Sequence, residues 1–307
     1  MLSLLLSRLI QLPLILAIVF SVTFGLVWVL PGSPLSRNDG RQPPVEVQRA
    51  MERRYNLDSP TRFVAGYLNG VLHGDFGPSL QYRGQSVSGI LSKGLPVSMS
   101  LGVAALAVAL FLGTLAGIAG ALKPGSMLDG GSLTLTLIGI SLPNFVTGTV
   151  LLVVFAGLLK WVPIGGWSGP RDMILPAITL GLAPAAYIAR LVRLGLADVM
   201  GSDYLRTARA KGASHSRALF RHALKVAYLP VLSFLGPAAA SVMTGSFVVE
   251  KVFNIPGVGE YFVQSVLNKD QFLILGIVLV YATLLIVFNL LVDLAYAWID
   301  PRINLDD

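Results

Sequence analysis

Cysteine is absent from the 307 residues, which excludes a disulfide framework and any thiolate metal site. Charge is scarce too: 13% of residues are charged, with 23 Lys or Arg against 16 Asp or Glu. None of the lysines is followed by Ser or Thr. The chain therefore has no G-x-x-x-x-G-K-[ST] loop with which to cradle a nucleotide phosphate. His73, His215 and His222 are the three histidines, and each falls in a polar loop outside any nucleophile or metal-ligand pattern, so no catalytic or metal residue is assigned. An excess of seven positive charges raises the question of nucleic acid. The bases cluster beside apolar runs rather than along an aromatic-rich polar surface, so membrane topology explains them and nucleic acid is not expected.

What is present is apolar length. Hydrophobic residues make up 54% of the chain and the mean hydropathy is +0.72, too apolar for an ordinary soluble domain. Uncharged runs predict an all-α membrane protein with six spans, near 9–30, 96–122, 130–159, 173–194, 227–249 and 271–293. Residues 9–30 are 22 uncharged positions, longer than a signal-peptide core and without a small-x-small cleavage site after them, which favours a retained span. Residues 31–95 form a long polar loop in which Val45, Val47 and Met51 predict one surface amphipathic helix and Phe63, Tyr67, Leu68 and Val71 a second. Gly113, Gly117 and Gly120 lie at small-residue spacing on the second run, the pattern of close helix packing. Pro143 and Asn144 interrupt the third run, where polar groups are acceptable only if packed in protein or facing a water-filled path. Together with Met243, Thr244 and Ser246 of the fifth run they are the candidate translocation path.

Orientation follows from the bases. Excluding the long loop, Arg8, Lys123, eight bases between Arg190 and Lys225, and Arg302 lie on one side, against Lys160, Arg171, Lys251 and Lys269 on the other. Eleven against four puts both termini in the cytoplasm and the 31–95 loop outside, its length exempting it from the charge rule. The basic segment 200–225 should then protrude into the cytoplasm as two short helices broken at Gly212, with Ser214 or Ser216 capping the second and Leu205, Ala208, Leu219 and Phe220 supplying apolar faces.

The segment DYLRTARAKGAS at 203–214, followed by RHAL and by Leu229-Pro230, resembles the cytoplasmic loop of bacterial ABC-importer permeases. Arg206, Thr207, Ala208 and Gly212 fall on that loop's motif positions. The Arg206-Thr207 pair and the late Leu-Pro resemble the peptide-importer branch. LPGSP at 30–34, HGDFGPS at 73–79, GISLPNF at 139–145, VVEKVFNIPGVGEYF at 248–262 and LVDLAYAWIDPRI at 291–303 are similar to the dipeptide, oligopeptide and nickel permease group, most of all to the oligopeptide permeases of the B type. The resemblance implies a type I ABC-importer permease fold in the bacterial inner membrane. It also implies a second permease subunit, two ATPases that use ATP and Mg, and an extracytoplasmic peptide-binding protein. The chain itself would bind no cofactor. ATPase coupling would fall to Arg206, Thr207, Ala208, Arg209, Lys211, Gly212, Ser214, Arg217, Leu219 and Phe220, with Arg209, Lys211 and Arg217 meeting acidic groups and Leu219 and Phe220 burying against the ATPase. A dipeptide or nickel permease is the nearest alternative. An ion-coupled secondary transporter is the alternative of a different class, disfavoured by span interiors without charge.

Overall fold

A computed structural model describes residues 2–31, 35, 44–82, 84–122, 124–127, 129–131, 134, 139 and 141–299, with side chains described from residue 10 to 295. Among the described residues the regular structure is helical, apart from one isolated bridge between Pro78 and Ser86, and turns and loops join the helices. Helices α1 (Leu2–Val29), α2 (Val45–Arg54), α3 (Pro60–Leu72) and α4 (Val87–Leu122) come first. Next is α5, which starts as Asn144–Leu151 and continues as a π-helical stretch, Leu152–Leu158. A 3₁₀ turn, Pro170–Met173, leads into α6 (Ile174–Met200), followed by α7 (Asp203–Ala210). Helix α8 covers residues 215–227 with a π turn, Ala218–Ala223, at its centre. Helices α9 (Leu229–Val252), α10 (Val258–Leu267) and α11 (Gln271–Ile299) complete the order.

Among the described residues, five helices are long and apolar enough to cross a membrane. The sixth expected span, 130–159, begins among residues most of which lie outside the described set, and its described part, Asn144–Leu158, is a shorter apolar helix. The motif positions 32–34 and 300–303, Lys123 and Arg302 also lie outside it. Helix α4 starts nine residues before the apolar run expected at 96. Ser86 Oγ accepts the Gly89 amide at 3.1 Å, satisfying one of the amides that a helix start leaves unpaired. Lys93 is exposed, so its charge interrupts the hydropathy and not the helix.

The chain divides into two compact units. One takes residues 6–98 and 256–286. In it Phe20, Phe24 and Trp28 recur at helical spacing on α1 and stack with Phe63 and Tyr67 of α3, and Phe272 at the start of α11 closes against both α3 rings. Phe63 and Tyr67 are buried, whereas Leu68 is exposed. Helix α2 buries none of its residues, so its apolar positions Val45 and Val47 face outward. Buried Asp270 ties the 79–81 segment to the start of α11, accepting from Ser79 Oγ at 2.5 Å and from the amides of Leu80, Gln81 and Leu273 at 2.9, 3.2 and 3.2 Å. Ser98 Oγ accepts the Val258 amide at 2.9 Å, joining α4 to the start of α10.

The other unit takes residues 1–5, 99–255 and 287 onward, and in it α4 packs closely against α6. A Cβ added at Gly113 would stand 2.6 Å from Ala185 O, and one at Gly117 2.6 Å from Val192 Cβ and 2.7 Å from Ala189 O. The two backbones approach this closely only because those positions carry no side chain. Gly120 faces Arg193 and Asp129.

Candidate functional site

The basic segment begins where α6 ends. Helix α7 stops in a Schellman arrangement: the Gly212 amide donates to Arg209 O at 2.9 Å and the Ala213 amide to Ala208 O at 3.1 Å, with Gly212 at φ +88°. Such a conformation is cheap for glycine and costs other L-residues about 1–2 kcal/mol. Two residues later Ser214 caps α8, its Oγ accepting the Arg217 amide at 3.3 Å. Helix, left-handed glycine, cap and helix thus follow from local chemistry alone.

One face of this hairpin is buried. Leu205, Ala218, Leu219, Ala223 and Ala227 share a hydrophobic core with Ile188, Val192 and Leu196 of α6. A Cβ at Gly195 would stand 2.8 Å from Ala227 O, and Thr114 and Tyr228 join α4 to the end of the hairpin through hydroxyls 2.8 Å apart. The opposite face presents Arg206, Arg209, Lys211, Arg217, Arg221 and Lys225, all exposed, with Tyr204 and Phe220 beside them at 54% and 60% exposure. The Tyr204 hydroxyl meets His222 Nδ1 at 3.2 Å across the turn. Asp203, the acid of α7, is exposed and pairs with Arg206 at 3.3 Å, a solvated pair worth little.

Most expected coupling residues therefore come together on one surface: Arg206, Thr207, Arg209, Lys211, Gly212, Ser214, Arg217 and Phe220 are exposed, and Ala208 is half-buried. Leu219 is a correction. It is 4% exposed and packs on α6, because the π turn at Ala218–Ala223 rotates it inward, so it supports the hairpin and has no surface to offer a partner. Tyr204, Arg221 and His222 were not among the expected coupling residues, although Arg221 and His222 were expected on the hairpin. Their juxtaposition depends on the fold of the turn and left no sequence signal.

An ion pair between half-buried Arg193 and buried Asp129 braces the same helix. Arg193 of α6 donates two bonds to Asp129, Nε to Oδ1 at 2.5 Å and Nη2 to Oδ2 at 2.9 Å, and the Gly125 amide adds a third at 2.9 Å. The Arg193 bonds, then the Gly125 amide, pull the Asp129 carboxyl down to about 2. Bidentate pairing of this kind fixes orientation as well as charge.

The candidate path residues are partly joined. Pro143 precedes α5, and a Cβ at Gly245 would stand 2.8 Å from Asn144 Nδ2, so the Asn144 amide lies against α9 beside Met243 and Thr244. Thr244 is exposed and its hydroxyl bonds Ala240 O at 2.8 Å, while Ser246, 1% exposed, bonds Met243 O at 2.8 Å. Ser246 is thus a packing residue and does not line an accessible path.

The five membrane-length helices and the exposed basic hairpin built onto α6 agree with a match of residues 93–305 to the family described as binding-protein-dependent transport system inner membrane component. The chain belongs to that family. The permease is 42% identical over 289 residues to the dipeptide transport system permease protein DppB of Bacillus subtilis, covering 94% of this chain and 93% of that one. It is 41% identical over 308 residues to the oligopeptide transport system permease protein OppB of Escherichia coli K12, covering 99% and 100%. Its fold is shared with a chain of the MetNI methionine ABC transporter in an inward-facing conformation, with a TM-score of 0.56, 16% identity and coverage of 69% of the permease and 96% of that chain. A chain of an amino acid ABC transporter crystallised with histidines gives 0.51 and 18%, covering 67% and 92%. The permease is accordingly a multi-pass membrane component of the type I ABC-importer fold.

Proposed function

We propose that the permease is one of two membrane subunits of an ATP-driven importer of peptides, and that residues 203–225 couple it to cytoplasmic ATPases. The carrying observation is the two-faced hairpin: an exposed basic and aromatic surface whose reverse side shares a core with α6. A free topology signal needs no such core, whereas a force-receiving element must be fixed to what it moves. Arg209, Lys211 and Arg217 meet acidic groups of an ATPase, and Phe220 enters an apolar recess there. ATP-driven closure displaces the hairpin, and α6 carries the displacement toward α4 and the path beside Asn144, Met243 and Thr244.

The partners in this reading are a second permease, two ATPases that bind ATP and Mg, and an extracytoplasmic peptide-binding protein, in a bacterial inner membrane with both termini cytoplasmic. Peptide as cargo is supported by the names of the relatives, among which both oligopeptide and dipeptide permeases occur. The test is Gly212→Asp in the assembled transporter. The Cβ has open space around it, so the complex assembles, while the strained turn and the added negative charge misdirect the basic surface. Peptide-stimulated ATP hydrolysis in proteoliposomes should fall at least tenfold with subunit stoichiometry unchanged; full stimulation would refute the coupling role.

A further inference from the structure

Arg193 lies where several elements meet. One residue before it, Val192 belongs to the core that the hairpin shares with α6, and a Cβ at Gly117 of α4 would stand 2.6 Å from Val192 Cβ. Gly120, a turn further along α4, makes room for the ion pair itself: a Cβ there would stand 3.2 Å from Arg193 Cδ and 3.3 Å from Asp129 Oδ1. Asp129 lies at the opening of the third span, fifteen residues before Asn144. The hairpin, α4 and the third span therefore all reach α6 at the level of Val192 and Arg193.

The contacts they make there differ in kind. The hairpin and α4 lie on α6 through apolar side chains and glycines. Further along, the third span meets α6 at glycines too: a Cβ at Gly139 would stand 3.3 Å from Ala186 Cβ, and one at Gly148 3.2 Å from Thr179 Cγ2. Smooth contacts of that sort resist separation but permit packed helices to shear. The bidentate pair does not, because a planar guanidinium holding both carboxylate oxygens fixes direction as well as distance. Nor can the carboxylate swing away with its own segment at rest. The Gly125 amide donates to Asp129 Oδ2 at 2.9 Å, and the Asp129 amide donates to Ser126 Oγ at 3.3 Å. Apolar packing could replace an inward-facing ion pair at little cost in stability, so what the pair adds is register.

We infer that the pair of Arg193 with Asp129 is a clamp that makes the third span follow α6, with Arg193 the positioning residue through which displacement of the hairpin reaches Asn144. This rests on the coupling role proposed for the hairpin and names the route by which that role acts. Without the clamp the hairpin still moves α6, while the third span lags behind and shears along it.

The test uses the assembled transporter in proteoliposomes, with peptide uptake and ATP hydrolysis measured on the same vesicles. Asp129→Asn and Arg193→Gln should each lower the peptide taken up per ATP hydrolysed at least fivefold, with peptide still stimulating hydrolysis. Gly212→Asp removes the stimulation itself, so failure of the coupling role and failure of the clamp give different results. Arg193→Lys keeps the charge but not the two-pronged geometry, and its ratio should fall between wild type and Arg193→Gln. Movement is read directly from spin labels on Thr134→Cys and Leu194→Cys, both exposed, in a complex otherwise free of cysteine. The distance between labels should be the same in nucleotide-free and ATP-trapped states when the pair is intact, and should differ between them in Asp129→Asn. An unchanged ratio in both Asp129→Asn and Arg193→Gln, or a label distance that shifts with the pair intact, would overturn the clamp. So would uptake and hydrolysis falling in equal proportion, the mark of a merely structural role. If Asp129→Asn fails to assemble, Arg193→Lys decides, and a wild-type ratio in that variant overturns the inference.

Discussion

Leu219 and Phe220 are neighbours in the chain and face opposite ways, one 4% and the other 60% exposed. Their alanine variants should separate packing from coupling. Leu219→Ala removes a buried side chain and is expected to destabilise the hairpin by about 2–4 kcal/mol, read as a lower melting temperature. Phe220→Ala should leave that temperature unchanged and reduce peptide-stimulated ATP hydrolysis several-fold. Equal effects of the two on melting would mean that Phe220 is also structural. Asp129 supplies a pH signature. Its carboxyl is held at about 2 by the Arg193 bonds and the Gly125 amide, below the unfolded value of about 3.9. Its stabilising effect is therefore complete above roughly pH 5 and is lost as pH falls through about 4 toward 2. The gap between the thermal melts of wild type and Asp129→Asn should be full at pH 6 and shrink to roughly a third by pH 2.5. A constant gap would sink the ion-pair account.

At the scale of elements, the contact of α4 with α6 depends on what Gly113 and Gly117 lack. Gly117→Leu would drive a side chain into Val192 and the Ala189 carbonyl, and overpacking of this kind costs about 1–3 kcal/mol or more. The variant complex should melt lower, whereas Gly201→Ala, with nothing within 4 Å of its Cβ, should match wild type. The spacing of these glycines was legible because it needs only a helical period. Gly212 and Ser214 were legible because a left-handed stop and a cap are local chemistry. The inward turn of Leu219 was not, since a π turn shifts the register that a 3.6-residue period assumes. Nor was the true start of α4, because Lys93 ends an apolar run without ending a helix. The aromatic wall around Tyr67 depends on Phe272, which is distant in sequence, and no local pattern joins them.

For the whole molecule, the first question is which side faces the cytoplasm. The absence of cysteine makes any single introduced cysteine an unambiguous label. Ser168 and Ser216 are both exposed. In intact cells a membrane-impermeant maleimide should modify Ser168→Cys directly and Ser216→Cys only after permeabilisation; the reverse pattern would invert the proposed topology. The second question is the energy source. Uptake should stop on ATP depletion with the proton gradient intact and persist when the gradient is collapsed at constant ATP, and the opposite result would favour an ion-coupled carrier. The core shared by the hairpin and α6 also bears on how movement is shared out. An arm that is glued to its shaft cannot bend at the joint, so a push on the hairpin becomes torque on a helix of 27 residues, roughly 40 Å long. A tilt of about 10° at one end of a shaft that long would sweep the other end by ~7 Å, so a small angular input at the water's edge becomes a displacement of side-chain size at the far end of α6.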